Sequence, residues 1–324
     1  MAERSGALAS RLSTVMVDVS IGTAADRTPP TERTLPVDEI ATTCALCGEE
    51  QGSGVFRVNG SLIVRCIRCD LVRAATRPRS PHLVYTAEYY ASARRKGGYA
   101  NYVLDARINE LTFKRRLRDI ERRLGRRGRL LDVGCALGDF LVVARDAGWQ
   151  AEGVEISSFA SKVAASKGVV TYCGVLEDLR LPANQYDVIT LYDTIEHLVD
   201  PLRTLREIKR LLASDGIVHI VTPDVGGLQA RLLGPLWYHF KPGEHLVYFS
   251  SATLRAALES AGFLWAGSAD AGSYVTISYV FNRLRYYLPR PFGFLESVGR
   301  TLRLGPVPFY LHVGEMEAWA SRSE

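Results

Sequence analysis

The sequence predicts an α/β chain, a doubly wound and mostly parallel sheet preceded by a small cysteine module. Three observations carry that expectation. Four cysteines fall into two C-x2-C pairs, Cys44/Cys47 and Cys66/Cys69. From Arg129 onward short apolar runs alternate with helical repeats, the pattern of strand and crossover helix. The first of those runs, "LLDVGCALGDF", ends in a turn of small residues with an acidic side chain. A chain of 324 residues that is 47% hydrophobic has material for one medium domain and a smaller module.

Residues 1–40 are rich in Thr, Pro, Ser and charge without periodicity, and read as a poorly ordered leader. They lack a sustained apolar segment of signal-peptide type, and no apolar run in the chain reaches membrane-spanning length. A cytoplasmic location is the expectation.

Residues 41–78 hold the cysteines, spaced C-x2-C-x18-C-x2-C. Two residues between paired cysteines let both thiolates reach one tetrahedral ion, and two such knuckles close a four-sulfur shell. Between them "VFRVNGSLIVRC" reads as two strands turning at Asn59-Gly60. The expected cofactor is a structural zinc ion in a ribbon, since stable disulfides are rare in a cytoplasmic chain. A closed shell offers no substrate position, which leaves folding or docking as its role. Cys135 and Cys173 fall outside the pattern and are expected to line the core.

Residues 79–128 form a helical linker and cofactor lid, with Tyr99 and Tyr102 as candidate covers. In "KRRLRDIERRLGRRGR", Leu117, Ile120 and Leu124 recur at helical spacing, so the arginines are the wet side of a helix rather than a nucleic-acid patch.

Residues 129–268 carry the strand and helix alternation. Asp200 caps a helix with Pro201 in its first turn and Leu202, Leu205, Ile208 and Leu212 on one face. Ligands of such sheets lie beyond the carboxyl ends of the strands. The turn after "LLDV" lacks the Gly-Lys-Ser/Thr of a phosphate loop, and the three dinucleotide glycine positions hold Gly134, Ala136 and Asp139. Asp139 at a helix start would oppose a pyrophosphate, so the ligand should lack phosphates. S-adenosylmethionine meets that requirement, with Glu155 at the end of the second strand placed to accept the ribose hydroxyls.

"LLDVGCALGDFL", "GVEIS", "YDVITLYDTIEHLVDPLRTLREIKRLLASDG", "VTPD" and "PGEHLVYFSSATLRAALESAGF" together resemble a class I S-adenosylmethionine-dependent methyltransferase of Rossmann-like fold. The resemblance runs from Cys44 to Phe263 and includes the ribbon. It implies that Asp132, Gly134 and Gly138 line the methionine end of the cofactor, that Glu155 holds the ribose, that Leu176 and Glu177 lie near the adenine, and that Tyr192 lies near the amino-acid end. Ala136 replaces the more usual middle glycine, and Val175 stands where an acidic residue is frequent.

Two segments offer chemistry. In "DTIEHL" a capping box can explain Asp193 and Glu196, whereas His197 sits at the ligand edge with an ordinary pKa suited to taking a proton. The same run is similar to one in ubiquinone-type O-methyltransferases that helps hold a divalent ion, with Asp193 in place of a longer Glu. In "WYHFKPGEHLVYFS" the Glu244-His245 pair resembles the catalytic pair of zinc-containing deoxysugar C-methyltransferases, whose further C-terminal domain this chain is too short to contain. His239 is a loop residue and His219 a core residue in this reading.

Residues 269–324 are expected to form a cap and a last edge strand, "PFYLHVGEMEAWAS". The aromatic and basic segment 273–294 could instead touch a membrane surface. The function expected is methyl transfer to oxygen or carbon of a small metabolite: a sugar nucleotide, a polyketide or a quinone-like phenol. Alternatives are an RNA methyltransferase gripping its substrate with the ribbon, and a non-catalytic cofactor-binding docking protein. Against RNA, the fourth strand lacks the Asn/Asp-Pro-Pro-aromatic run of many base-amino methylating enzymes.

Overall fold

The structure, a computed structural model, describes residues 18–19, 39–91, 102–284 and 307–323. Its first strands are β1 (Asp18–Val19), β2 (Glu39–Ala41), β3 (Gly52–Val58), β4 (Ser61–Cys66), β5 (Val72–Ala74) and β6 (Thr76–Pro78). β3 and β4 form the hairpin that the sequence predicts, Val58 facing Ser61. Asn59 and Gly60 both take left-handed φ, 49° and 82°, as the two-residue turn that matches strand twist requires. β1 lies parallel to β3, and β2 pairs with β6. Most of the leader and Tyr99 lie outside the described residues, as does the side chain of Tyr102.

The second sheet begins after α1 (Ala87–Ala91) and α2 (Tyr102–Leu124). It is laid down by β7 (Arg129–Val133), α3 (Asp139–Asp146), β8 (Gln150–Glu155), α4 (Ser158–Ser166), β9 (Val170–Cys173), β10 (Tyr186–Tyr192), α5 (Pro201–Leu211) and β11 (Leu212–Pro223). Then follow α6 (Leu228–Leu233), β12 (Val247–Tyr248), α7 (Ser251–Ser260), β13 (Phe263–Thr276), α8 (Ile277–Leu284) and β14 (Pro308–Arg322). Seven strands order as β13-β14-β11-β10-β7-β8-β9. β7 to β11 run parallel, and β13 and β14 antiparallel.

Local chemistry explains the elements. Asp200 caps α5 by accepting from the Arg203 amide at 2.9 Å, and Leu202, Leu205, Ile208 and Leu211 bury its apolar face; Leu212, expected on that face, is instead the first residue of β11. Leu130, Leu131, Ile189, Leu191, Val218 and Ile220 are buried in the central strands, as expected of a sheet covered on two faces.

Three expectations need correction. β14 is not an edge: it lies between β13 and β11, and Met316, Ala318 and Ala320 are buried there. Cys173 is exposed at the end of β9 while Cys135 is buried, because a strand's last residue is not covered by the following helix. The arginines of α2 are not all wet: Leu117 and Ile120 point inward as predicted, but Arg116 is buried with them. Of the segment 273–294, residues 273–276 complete β13 and 277–284 form α8; the rest lies outside the described residues. No helix among the described residues is long and apolar enough to cross a membrane.

The cysteine module and the larger sheet meet at β12, a strand of the first sheet. β12 follows β11 and α6 in the chain, yet it pairs antiparallel with β5, Val247 facing Arg73 and Tyr248 facing Val72. Val58, Ile63, Val72 and Ala74 pack with Trp237, Phe240 and Tyr248 in one buried cluster. The cysteine module is therefore seated on the loop that leads to β12.

Because Ile189 is fully buried in β10 and Val170 is half exposed on the edge strand β9, the two should respond differently to truncation. Ile189→Ala should cost about 2–5 kcal/mol in urea unfolding, and Val170→Ala within about 0.5 kcal/mol of nothing.

Candidate active site

The turn after β7 is held in a strained shape from beneath. Gly134, Ala136 and Gly138 all have left-handed φ, and a Cβ at Gly134 would stand 2.4 Å from Thr194 Oγ1, so only glycine fits there. The Glu155 carboxylate, 4% exposed, accepts from the Ala136 amide at 2.9 Å and the Ser157 amide at 2.7 Å. The Tyr90 hydroxyl of α1 bonds to the same carboxylate. Burial raises the Glu155 pKa, against these donors. Asp132 accepts from Thr190 Oγ1 at 2.6 Å, and burial pushes its pKa up to about 7.

Next to this turn, through Thr194, lies the turn Ile195–His197 at the end of β10. Its side chains do not form the capping box allowed by the sequence. The Asp193 amide donates to Val221, Asp193 takes φ 49°, and the Glu196 carboxylate turns inward to accept from Thr222 Oγ1 at 2.9 Å. The other Glu196 oxygen, Oε1, is buried without a partner, and burial drives the carboxyl pKa well upward.

His197 and His245 meet at Glu196, their rings 4.7 Å apart at 87°. His197 Nδ1 lies 2.9 Å from the Glu244 carbonyl, and since a carbonyl only accepts, Nδ1 carries the proton and Nε2 is bare. His245 bonds to the His239 carbonyl while its Nδ1 has no partner, so Nδ1 is the bare nitrogen. Donor atoms of Glu196, His197 and His245 all lie within 4.8 Å of one another. Burial lowers both histidine pKa values, that of His197 to about 4, rather than leaving them near neutrality.

Around them stand charges that sequence reading missed. Glu315 of β14 lies 3.6 Å from the Arg116 guanidinium, and burial with the charge of Asp193 pushes its pKa up to about 8. Asp193 is open to solvent within electrostatic reach of Arg116 and Lys241. Tyr85 lays its ring 6.1 Å from that of His197 and its carbonyl accepts from Ser157 Oγ at 2.7 Å. Arg116 could have been suspected because it lies in register with Phe113, Leu117 and Ile120. Nothing in the sequence near Glu315 marks it as part of a site.

A sequence model described as a methyltransferase domain matches residues 102–264, half of the chain. The chain belongs to that methyltransferase family. Ubiquinone biosynthesis O-methyltransferases are similar in part. That of Haemophilus ducreyi is 29% identical over 105 residues, 29% of this chain and 44% of the relative. That of Bordetella avium is 32% identical over 101 residues, 29% of this chain and 42% of the relative. The chain thus spans less than half the length of these curated relatives. Among solved structures, a methyltransferase from Thermotoga maritima is similar with a TM-score of 0.47 and 20% identity, covering 69% of this chain and 95% of that one.

The Gly134 turn and the Glu155 carboxylate fit the S-adenosylmethionine expected from the sequence. Glu155 already holds a hydroxyl donor, that of Tyr90, which is the interaction a ribose hydroxyl makes. Ile156 and Val175, beyond the ends of neighbouring strands β8 and β9, expose apolar surface suited to a flat ring. The other expected contacts distribute unevenly. Leu176 is buried in the turn after β9. The Glu177 carboxylate accepts from Thr204 Oγ1 of α5 at 2.5 Å. The Tyr192 hydroxyl bonds to His219 Nδ1 at 2.9 Å, under the Arg116 guanidinium. Glu244 meets His197 through its carbonyl, not its carboxylate.

The sulfurs of Cys44, Cys47, Cys66 and Cys69 lie within 4.8 Å of one another. Cys44 and Cys69 are 3.3 Å apart and Cys47 and Cys66 3.5 Å, close to the edge of about 3.8 Å of a tetrahedron with zinc–sulfur bonds of about 2.3 Å. Gly48 and Asp70 close the two knuckles with φ of 73° and 61°, each amide bonding back to the first cysteine of its pair. The cluster is consistent with a zinc ribbon.

The depressed His197 pKa sets the sign of a pH effect. Unfolded histidine gains its proton near pH 6.5 and folded His197 only near 4, so the stability it contributes is whole above about 6.5 and is lost as pH falls toward 4. Asp132 and Glu315, with raised pKa values, act in the opposite sense, so the comparison must be with a variant. Relative to His197→Gln, the wild type should lose up to ~3 kcal/mol between pH 6.5 and 4 in chemical denaturation.

Proposed function

We propose that this methyltransferase methylates an oxygen or carbon of a small metabolite, a sugar nucleotide, a polyketide or a quinone-like phenol, with His197 and His245 as proton acceptors. The observation that supports this most is the pair of bare imidazole nitrogens converging on Glu196 beside the Gly134 turn. S-adenosylmethionine, when bound, supplies a methyl carbon already activated for in-line displacement.

What the chain must add is alignment and a place for a proton. Asp132, Gly134, Gly138 and Glu155 are assigned to the cofactor, with Leu176, Glu177 and Tyr192 in supporting positions. His245 Nδ1 or His197 Nε2 takes the proton of the acceptor. Burial favours the neutral form of both, which leaves each a free lone pair at a cost in basicity. Glu244 positions His197 by accepting from its Nδ1. In the ribbon, Cys44, Cys47, Cys66 and Cys69 are assigned to a structural zinc ion.

A second reading concerns a divalent ion. A buried carboxylate oxygen without a partner, such as Glu196 Oε1, is stabilised by a proton or by a cation. Glu196, His197 and His245 offer one carboxylate and two imidazoles, a donor set suited to a borderline divalent metal. In that case the histidines would hold the ion near a hydroxyl acceptor rather than take its proton.

Calorimetric titration with S-adenosylhomocysteine should give micromolar binding, weakened at least about tenfold in Glu155→Gln, equivalent to about 1.4 kcal/mol. With methyl-labelled cofactor and panels of nucleotide-linked sugars, polyketides and catechols, one class should accept label. His245→Ala should reduce that transfer by about 100-fold or more with cofactor binding unchanged. Intact cofactor binding with a His245→Ala variant as active as wild type would remove His245 from the chemistry.

A further inference from the structure

We infer that the four-cysteine ribbon is a brace for His245, acting through β5 and the amide of Ala74. The connection is short and made of main chain. The knuckle Cys66–Cys69 closes on itself through the Asp70 amide to the Cys66 carbonyl at 3.1 Å, and the Cys66 amide to the Leu71 carbonyl at 2.9 Å. β5 starts at the next residue, Val72. It lies between β4 and β12, and the Ala74 amide donates to the Leu246 carbonyl at 3.2 Å.

Residues 245–248 are buried, but apart from β5 their main chain has few partners. β12 is a two-residue strand, far too short to persist without a neighbour. On the core side the Leu246 amide donates to the Glu196 carbonyl at 2.8 Å and the His245 amide to the Lys241 carbonyl at 2.9 Å. The His245 ring is hydrogen-bonded at its far nitrogen to the His239 carbonyl and packs edge-on against His197, while Nδ1 is unbonded. The ring is carried by the backbone of 245–248, and that backbone is clamped between Glu196 and the ribbon. Packing follows the same route: Cys44, Cys66 and Leu71 belong to one buried cluster with Val247 and Phe249.

A metal that locks the knuckles thus locks β5, and β5 locks the strand next to the base. This makes Ala74 a positioning residue, and the four cysteines positioning residues at one remove. The inference rests on the reading of His245 as a base and on zinc in the ribbon, and its test reads where His245 is held rather than turnover, so that the two readings fail separately.

Four samples of the full chain decide it: zinc-loaded wild type, chelator-stripped wild type, zinc-loaded Ala74→Pro and zinc-loaded Ala74→Gly. Proline removes the amide that bonds to Leu246 and leaves the cysteines in place; glycine keeps the amide. Hydrogen exchange at residues 246–248 and the nitrogen-15 imidazole signals of His245 are measured, with S-adenosylhomocysteine affinity and zinc content alongside. The brace predicts exchange faster by roughly tenfold or more and shifted His245 signals in the stripped protein and in Ala74→Pro, wild-type behaviour in Ala74→Gly, and cofactor affinity within about twofold in both variants. Zinc-loaded Ala74→Pro with unchanged exchange and unchanged His245 signals overturns it, even if stripping zinc unfolds the chain, because the core alone would then be holding the histidine.

Discussion

Leu246 uses its amide hydrogen on Glu196 and its carbonyl on Ala74. The first partner belongs to the turn at the end of the parallel sheet and the second to the cysteine ribbon, so a single peptide neighbourhood closes both modules on each other. Backbone groups removed from water must be paired, and residue 246 is 3% exposed. If either partner were withdrawn, a buried donor or acceptor would be left with no solvent to turn to. The packing of Tyr248 against Val72 and Ala74 on one side, and of Val247 and Phe249 with the main core on the other, follows from that placement.

The same closure explains the electrostatics. Asp132, Glu155, Glu196 and Glu315 are carboxylates drawn out of water, and in each case burial is the largest influence on the pKa, raising it. The cations that reach this group are Arg116 and Lys241. Glu155 is compensated by two backbone amides, whereas Glu196 Oε1 and Glu315 Oε2 have no hydrogen bond. The histidines obey the converse rule: desolvation removes their charge and leaves them as lone-pair donors.

Much of this was legible in the sequence, and the reasons differ by residue. The cysteine spacing, Asn59-Gly60 and the Asp200-Pro201 start of α5 are local codes, in which neighbouring residues fix the geometry, and each stands where it was expected. Glu155 and the Gly134 turn were legible because a strand end and a left-handed glycine restrict what can follow. His197 and His245 could be picked out singly, but not their meeting at Glu196, since that depends on how far the loop after β11 folds back. The capping box failed for the same reason: Asp193 and Glu196 satisfy the local pattern, but Thr222 on a neighbouring strand competes for the Glu196 carboxylate and wins. Arg116 reads as wet in the sequence because a charged residue on an apolar helix face is indistinguishable from a solvated one until its partner, Glu315, is known.

That partner arrives through register. β14 pairs with β11 so that Glu315 faces Pro223, Glu317 faces Val221 and Trp319 faces His219. Side chains alternate across a strand, so Glu315, Glu317 and Trp319 look toward α2, where Arg116 meets Glu315, His219 meets Glu317 at 3.3 Å, and Arg123 covers Trp319. Met316, Ala318 and Ala320 look the other way, into the main core. A slip of one residue would press two carboxylates into that core and turn three apolar side chains toward arginines, a cost no loop rearrangement could offset. The alternation "EMEAWA" therefore fixes more than a strand. Once β14 is inserted beside β11 rather than left at the edge, it determines that the Glu315 carboxylate stands beside Arg116 of α2.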